Sequence, residues 1–370
     1  MDSIQVDWRK PTVYSECTWH QIAPYIGKMK SSMASSLIRQ FTEPGQTIYD
    51  PFAGAGTIGL EGWIAGRPVV CGDLSPYAVA LTRAKLRPPR DAEDAIQRLE
   101  ASWAKAVRLA KSVDLGDVPT WVSNFFHRRT LREVLALRTV LLGDRQWFLL
   151  SCMLGILHHW RPAFLSHPAS HTVPYLMKKR FPRTNFPEMY AYKPVYPRLL
   201  LKVHRAFLRT PDTDRHVRRV VRLADAAIPR ASLSEQGISA IITSPPYMNS
   251  LSYARDNRLR LWFLGVPDHR LHEAMLSPNK PRFLRLMGTL LPQWADLLPR
   301  DAPVVLVLGA VRRDGRSHDL PDAVVNQVRE RRCELAVTAV CRNVIPDSRR
   351  TRGNCRSIRQ DTIIVLRKRA

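Results

Sequence analysis

Cysteine is sparse and patternless in this 370-residue chain. Cys17, Cys71, Cys152, Cys333, Cys341 and Cys355 form no C-x-x-C pair, which speaks against a zinc ribbon and against a disulfide framework. Long apolar runs are lacking too. No stretch reaches the ~18 uninterrupted apolar residues of a membrane span, and the opening MDSIQVDWRK has no apolar signal-peptide core. A cytoplasmic protein is expected. There is no G-x-S-x-G elbow and no P-loop lysine, so serine hydrolysis and NTP hydrolysis have no signature here. His158, His159, His167 and His171 lie close in sequence but match no zinc spacing, and no metal is assigned.

Acidic residues are the other scarce class. Against 57 Lys and Arg stand 32 Asp and Glu, a formal net charge of +25. The excess is regional, with 25 basic against 11 acidic residues over 87–222 and 15 against 8 from 301 to the end. A positive field of this size attracts polyanions and raises encounter rates at low salt, which points to nucleic acid. At 45% hydrophobic and 24% charged residues the chain can bury a large core. Its length, at roughly 150 residues per domain, suits one enlarged α/β core with an insert.

Periodicity lays out the core. Residues 47–49 read as a strand, 54–65 as a helix, 67–71 as a second strand and 76–86 as a helix with Pro76 in its first turn. After Pro88 and Pro89, helical patterning at 92–112, 131–141 and 147–158 marks the insert. Strand-like runs return at 217–223, 238–243, 304–308, 335–340 and 362–366. The alternation predicts an α/β fold with a mainly parallel sheet, and the last two runs suit an antiparallel hairpin at its edge. The domain reading is therefore 1–88 with 215–370 as the binding core and 89–214 as a largely helical, basic insert.

Two motifs carry chemistry. The first, DPFAGAGT, ends a strand with Asp50 and opens a helix after Pro51, Phe52, Ala53, Gly54, Gly56 and Thr57. Glycines here let a ligand approach the backbone, and the helix N-terminus lies just beyond. With Gly59 the string also spells G-x-G-x-x-G, and Asp73 stands near the distance of a ribose-binding acid, so a nicotinamide cofactor is a rival. Asp50 discriminates: a carboxylate at this turn repels a pyrophosphate but suits the ammonium of a methionine moiety, favouring S-adenosylmethionine. The second motif, TSPPY, follows an apolar run with Ser244, Pro245, Pro246 and Tyr247. Rigid prolines without N–H groups leave an acceptor-rich wall, suited to a planar ligand with an exocyclic amine on which Tyr247 stacks.

Together these motifs resemble the class I S-adenosylmethionine-dependent DNA amino-methyltransferases of the N4-cytosine type. The resemblance extends to residues 20–38 and 247–265, covers 19–86 and 217 to about 309, and leaves the insert uncovered. It implies a Rossmann-like, seven-stranded sheet. Asp50, Phe52, Gly54, Gly56 and Thr57 would line a cofactor pocket, with Asp73 on the ribose and Asp225 facing the adenine. Ser244, Pro245, Pro246 and Tyr247 would form the catalytic wall, receiving a nucleotide flipped from the duplex. No cysteine follows a proline, in keeping with an amine acceptor rather than ring carbon.

The resemblance implies DNA as the partner and leaves room for a cognate restriction endonuclease. By the same resemblance, serine in the tetrapeptide implies cytosine N4 rather than adenine N6, whereas the charge suits RNA as well as DNA. A catalytically silent nucleic-acid-binding protein is the alternative of another class. Target recognition is expected from the insert, where Tyr175, Phe181, Phe186, Tyr190, Tyr192 and Tyr196 alternate with Lys178, Lys179, Arg180, Arg183 and Lys193. The same segment also suits a strap packing its aromatics on the core. The six arginines of 342–359 are read as a loop suited either to tracking phosphate, the favoured reading, or to staying hydrated.

Overall fold

Short β-branched runs become the central strands, because a strand covered on both faces has no polar side to show. The computed structural model of the protein describes residues 4–9, 11–12, 14–228, 231–246, 252–276, 279–313, 316–318, 320–330, 334–344 and 360–369. Its strands are β1 (Thr47–Asp50), β2 (Val69–Asp73), β3 (Arg219–Leu223), β4 (Ile238–Thr243), β5 (Pro303–Arg313), β6 (Arg316–His318), β7 (Leu335–Val344) and β8 (Gln360–Lys368). They pair in the order β3-β2-β1-β4-β5-β8-β7, and β6 pairs with β5 off this path. The first five run parallel. β8 is antiparallel to both β5 and β7. This is the seven-stranded, mainly parallel Rossmann-like sheet with an antiparallel edge hairpin that the resemblance implied, plus the short β6.

The helices are α1 (Ser31–Phe41), α2 (Thr57–Ile64), α3 (Pro76–Leu86), α4 (Ala92–Ala110), α5 (Thr120–Ser123), α6 (Arg128–Gly143), α7 (Trp147–Gly155), α8 (Val195–Ala206), α9 (Ala231–Ser234), α10 (Tyr253–Asp256), α11 (Arg258–Phe263), α12 (His269–Leu276), α13 (Lys280–Leu297) and α14 (Leu320–Glu330). Local chemistry sets several starts. Ser75 caps α3 by accepting from the Ala78 N–H, with Pro76 at the first position, and Asp91 caps α4 by accepting from Asp94.

Alternate residues of each strand feed two cores. On one face Ile48, Cys71, Ile242, Val305 and Val365 pack with α1, α2 and α3, and the buried side chains of α4, α6, α7 and α8 continue the same cluster. On the other face Tyr49, Val70, Ile241, Leu306 and Ile364 pack with α13 and α14. Residues 92–206 thus join the first layer through α7, which packs on α3.

The structure departs from the sequence reading in several places, among them β2, which runs to Asp73 rather than 71, and α7, which ends at Gly155 rather than 158. The helix expected from residue 54 begins at Thr57, because Gly54 and Gly56 take φ of +49° and +69° and turn the chain. β7 and β8 run longer than their apolar cores, because ladder pairing continues past the buried residues. The segment 175–197 is divided: Tyr190 is buried and donates to the Phe181 carbonyl, Tyr192 is half-buried and donates to Glu133, while Tyr175, Lys178, Lys179 and Arg180 stay exposed. Of the arginine-rich run, Arg342 belongs to β7 and pairs with Asp322; Arg349, Arg350, Arg352, Arg356 and Arg359 lie outside the described residues.

The turn after β1 is sterically specific. A Cβ on Gly56 would stand 2.8 Å from Thr82 Oγ1 on α3, in a backbone conformation that side chains disfavour. Gly56→Ala is therefore expected to lower stability by about 2–3 kcal/mol, measured as a reduced urea midpoint at unchanged slope.

Candidate active site at the carboxyl edge of the sheet

Each of the first three strands delivers an acid to the same edge. Asp50 ends β1, Asp73 ends β2, and Asp225 follows β3. Chain order reverses between β1 and β4, the switch point where open α/β sheets form a crevice beyond their strand ends. There a cavity of about 350 Å³ is lined by Asp50, Pro51, Phe52, Ala53, Gly54, Thr57, Asp73, Asp225, Ser244 and Pro246. Eight expected residues from two motifs some 190 positions apart in sequence thus come together with Asp73 and Asp225.

Two others, Gly56 and Pro245, do not line the cavity. Gly56 is turned towards α3, against Thr82, so its role is packing the turn. Pro245 is buried and absent from the lining, so Ser244 is the acceptor that borders the cavity. Tyr247 lies outside the described residues.

The motifs are joined directly. Thr243 Oγ1 on β4 donates to Asp50 Oδ1 at 2.7 Å, and the Phe52 N–H donates to the same oxygen at 3.3 Å. Burial nevertheless dominates and pushes the Asp50 carboxyl up to about 7, with the neighbouring Asp73 adding to the rise. Asp73 is shaped by the glycine turn: Gly54 N–H donates to one carboxylate oxygen and Ser75 N–H to the other, both at 2.8 Å. Burial raises Asp73 to about 6 against these donors. Asp225 is half-buried, and its carboxylate accepts from Ala227 N–H at 2.9 Å.

Several turn amides are already committed. Ala53 N–H bonds Gly72, Gly54 N–H bonds Asp73, and Gly56 N–H bonds Ala53. A pyrophosphate at a G-x-G-x-x-G turn depends on such donors, so this turn is ill suited to a dinucleotide.

Further lining residues were not named one by one from sequence, although Tyr25, Gly27, Lys28, Met29 and Tyr253 lie in the segments 20–38 and 247–265 to which the resemblance extends. Tyr25, Gly27, Lys28 and Met29 close one side, and Tyr25 stacks on Tyr77, with ring centroids 5.8 Å apart. Tyr253, from the segment after TSPPY, lies 6.3 Å from Tyr25. Leu276, Arg282 and Leu286 arrive from α12 and α13, for which the sequence carries no local signal. Beneath the turn, buried Lys85 donates from Nζ to the Ala55 carbonyl at 2.5 Å, and burial lowers its ammonium to about 7. A signal did exist here: Tyr77, Leu81 and Lys85 share one stripe of α3, and a lysine on an apolar stripe asks for a partner.

Among the described residues no group of three or more His, Cys, Asp or Glu is arranged to hold a metal, and no helix is long and apolar enough to cross a membrane.

No protein-family model and no curated protein matches the chain. Among solved structures it aligns with TrmN from Thermus thermophilus at 14% identity and TM-score 0.36, covering 95% of this chain and 52% of that one. The chain thus spans about half the length of TrmN. It aligns with the rRNA methyltransferase aviRa from Streptomyces viridochromogenes at 14% identity and TM-score 0.34, covering 93% and 87% of the two chains. An rRNA methylase from Streptococcus thermophilus aligns at 9% identity and TM-score 0.34, covering 93% and 98%. The fold rests on strand order and register, and these likenesses assign no substrate.

The raised carboxyls have a pH consequence. Between the unfolded carboxylate range and pH 7 the folded protein holds more protons at Asp50, so stability falls as pH rises through this window. Asp50→Asn should remove up to about 4 kcal/mol of that fall, giving a flatter urea-midpoint profile between pH 4 and pH 7.

Proposed function

We propose that the protein is an S-adenosylmethionine-dependent amino-methyltransferase acting on nucleic acid, of the DNA N4-cytosine type. The observation that carries this reading is the meeting of DPFAGAGT with Ser244 and Pro246 of the second motif at one cavity across the β1/β4 switch point, tied by Thr243 and Asp50. The acids suit the cofactor in chemical type. Asp50 answers an ammonium, Asp73 keeps lone pairs for two ribose hydroxyls, and Asp225 faces the adenine side. Thr57 Oγ1, buried on the cavity wall without a hydrogen-bond partner, is a further polar group suited to the ligand. The committed turn amides weigh against the nicotinamide alternative.

When bound, S-adenosylmethionine supplies an electrophilic methyl group on a sulfonium. This chain's residues hold the acceptor in line with it. Ser244 accepts a hydrogen bond from the exocyclic amine, drawing its nitrogen towards tetrahedral geometry and freeing the lone pair. Transfer would form the N–C bond as the S–C bond breaks, with a neutral thioether as the leaving group and the amine proton lost to solvent. Positioning supplies most of the acceleration, and no covalent enzyme intermediate is required. Tyr247 stacks on the base in this reading. Residues 89–214 provide target recognition, and the +25 charge favours the nucleic acid.

Incubation with tritiated S-adenosylmethionine and mixed DNA and RNA, followed by mass spectrometry of nucleosides, should yield N4-methyldeoxycytidine; N6-methyladenine or a methylated ribonucleoside would overturn the assigned type. Ser244→Ala and Tyr247→Ala should each lower kcat by about 100-fold, and wild-type rates in both would refute the wall. Because the ammonium selects ionised Asp50, whose carboxyl sits at about 7, the Kd for S-adenosylmethionine should weaken about tenfold from pH 8 to pH 6. Calorimetry on Asp50→Asn should find weaker binding without that slope.

A further inference from the structure

Residues 145–187 contain six Lys and Arg and no Asp or Glu. Within them Trp160 is 40% exposed, although a ring of this size is normally covered. Its indole lies parallel to Phe181, at 5° with centroids 6.0 Å apart. The Arg161 guanidinium stands 5.8 Å from the Trp160 ring centroid and that of Arg180 stands 5.4 Å from the Phe181 centroid. Lys178, Lys179 and Arg183 are exposed in the same segment, as is Tyr175 at 52%.

The surface is held from behind. His158 Nδ1 bonds the Ser170 carbonyl at 2.7 Å, and Ala169 N–H donates to the His159 carbonyl. Ala169 and Leu176 bridge as an antiparallel pair, bringing Tyr175 back beside 170. Tyr190 fixes Phe181 through its carbonyl at 2.6 Å. Arg258 donates to the Pro174 carbonyl, and Arg258 follows five residues after cavity-lining Tyr253. The aromatic and basic face is therefore attached to the segment that walls the candidate active site.

We propose that Trp160, backed by Phe181 and flanked by Arg161, Lys178, Lys179 and Arg180, is a stacking site for an unpaired base of a DNA strand, with the basic side chains on its phosphates. A paired base shows only its edge, whereas an exposed ring face is covered by a base that has left the stack. The run without acids matches the charge of the backbone. The site deepens the methyltransferase reading and rests on it for the choice of DNA, since flipping a target nucleotide leaves unpaired neighbours.

Fluorescence anisotropy with a labelled twelve-nucleotide oligo-deoxythymidine and the full chain tests the site. Trp160→Ala should weaken binding about tenfold, while Trp160→Phe, which keeps a stacking ring, stays within about threefold of wild type. Heparin, a polyanion without bases, should bind Trp160→Ala as it binds wild type. Unchanged oligonucleotide affinity in Trp160→Ala, or an equal loss towards heparin, overturns the proposal. Should Trp160→Ala fail to fold, the triple variant Lys178→Ala/Lys179→Ala/Arg180→Ala decides: its slope of log K against log salt should fall by about 2, and an unchanged slope overturns the proposal. Binding without any methyl product would remove the activity and leave this site, whereas methyl transfer and binding indifferent to Trp160 would do the reverse.

Discussion

The hydrogen bond from Thr243 to Asp50 is the contact on which the site depends. It joins the ends of two parallel neighbours, β1 and β4, at the point in the parallel part of the sheet where chain order reverses. Asp50 is buried there, where Thr243 and the Phe52 amide donate to it, and burial outweighs both. A carboxyl held near neutrality by its surroundings is poised to respond to a cation, because the arriving charge supplies what solvent no longer does. The same bond aligns the glycine turn with the proline turn, so the two walls of the cavity share one anchor.

Charge is divided by depth. The molecule carries a large positive excess, yet its central cavity is lined by three acids from three successive strands. An outer field of that sign is attractive to polyanions in general, whereas acids around a cavity repel phosphate and favour cationic and hydroxyl-rich ligands. Lys85 belongs to this arrangement from beneath. Its ammonium holds the Ala55 carbonyl and stiffens the turn, while burial keeps it close to losing its proton.

Packing couples the outer surface to the cavity. The helices of 92–206 share a hydrophobic cluster with one face of the sheet, chiefly through α7 on α3. α3 also carries Thr82 against Gly56 and Lys85 against Ala55. One helix therefore supports the glycine turn on one side and the inserted helices on the other, and Arg258 ties the segment after TSPPY to the exposed aromatic face.

Much of the frame was legible in the chain itself. The extent of α3 and β4, the parallel alternation and the edge hairpin all follow from periodicity and caps, which are local properties. So do Asp50, Asp73 and Ser244, since acids and hydroxyls at strand ends stand out against apolar runs. Local signals could not show that Gly56 and Pro245 would not line the cavity, that Tyr190 would be buried and Tyr192 half-buried, or that Arg282 would arrive from α13. Those outcomes depend on which surface each residue meets, and that surface is supplied by elements distant in sequence. Composition and spacing decided the kind of chemistry and the strands that bear it; only the folded arrangement decided which of those side chains share the cavity.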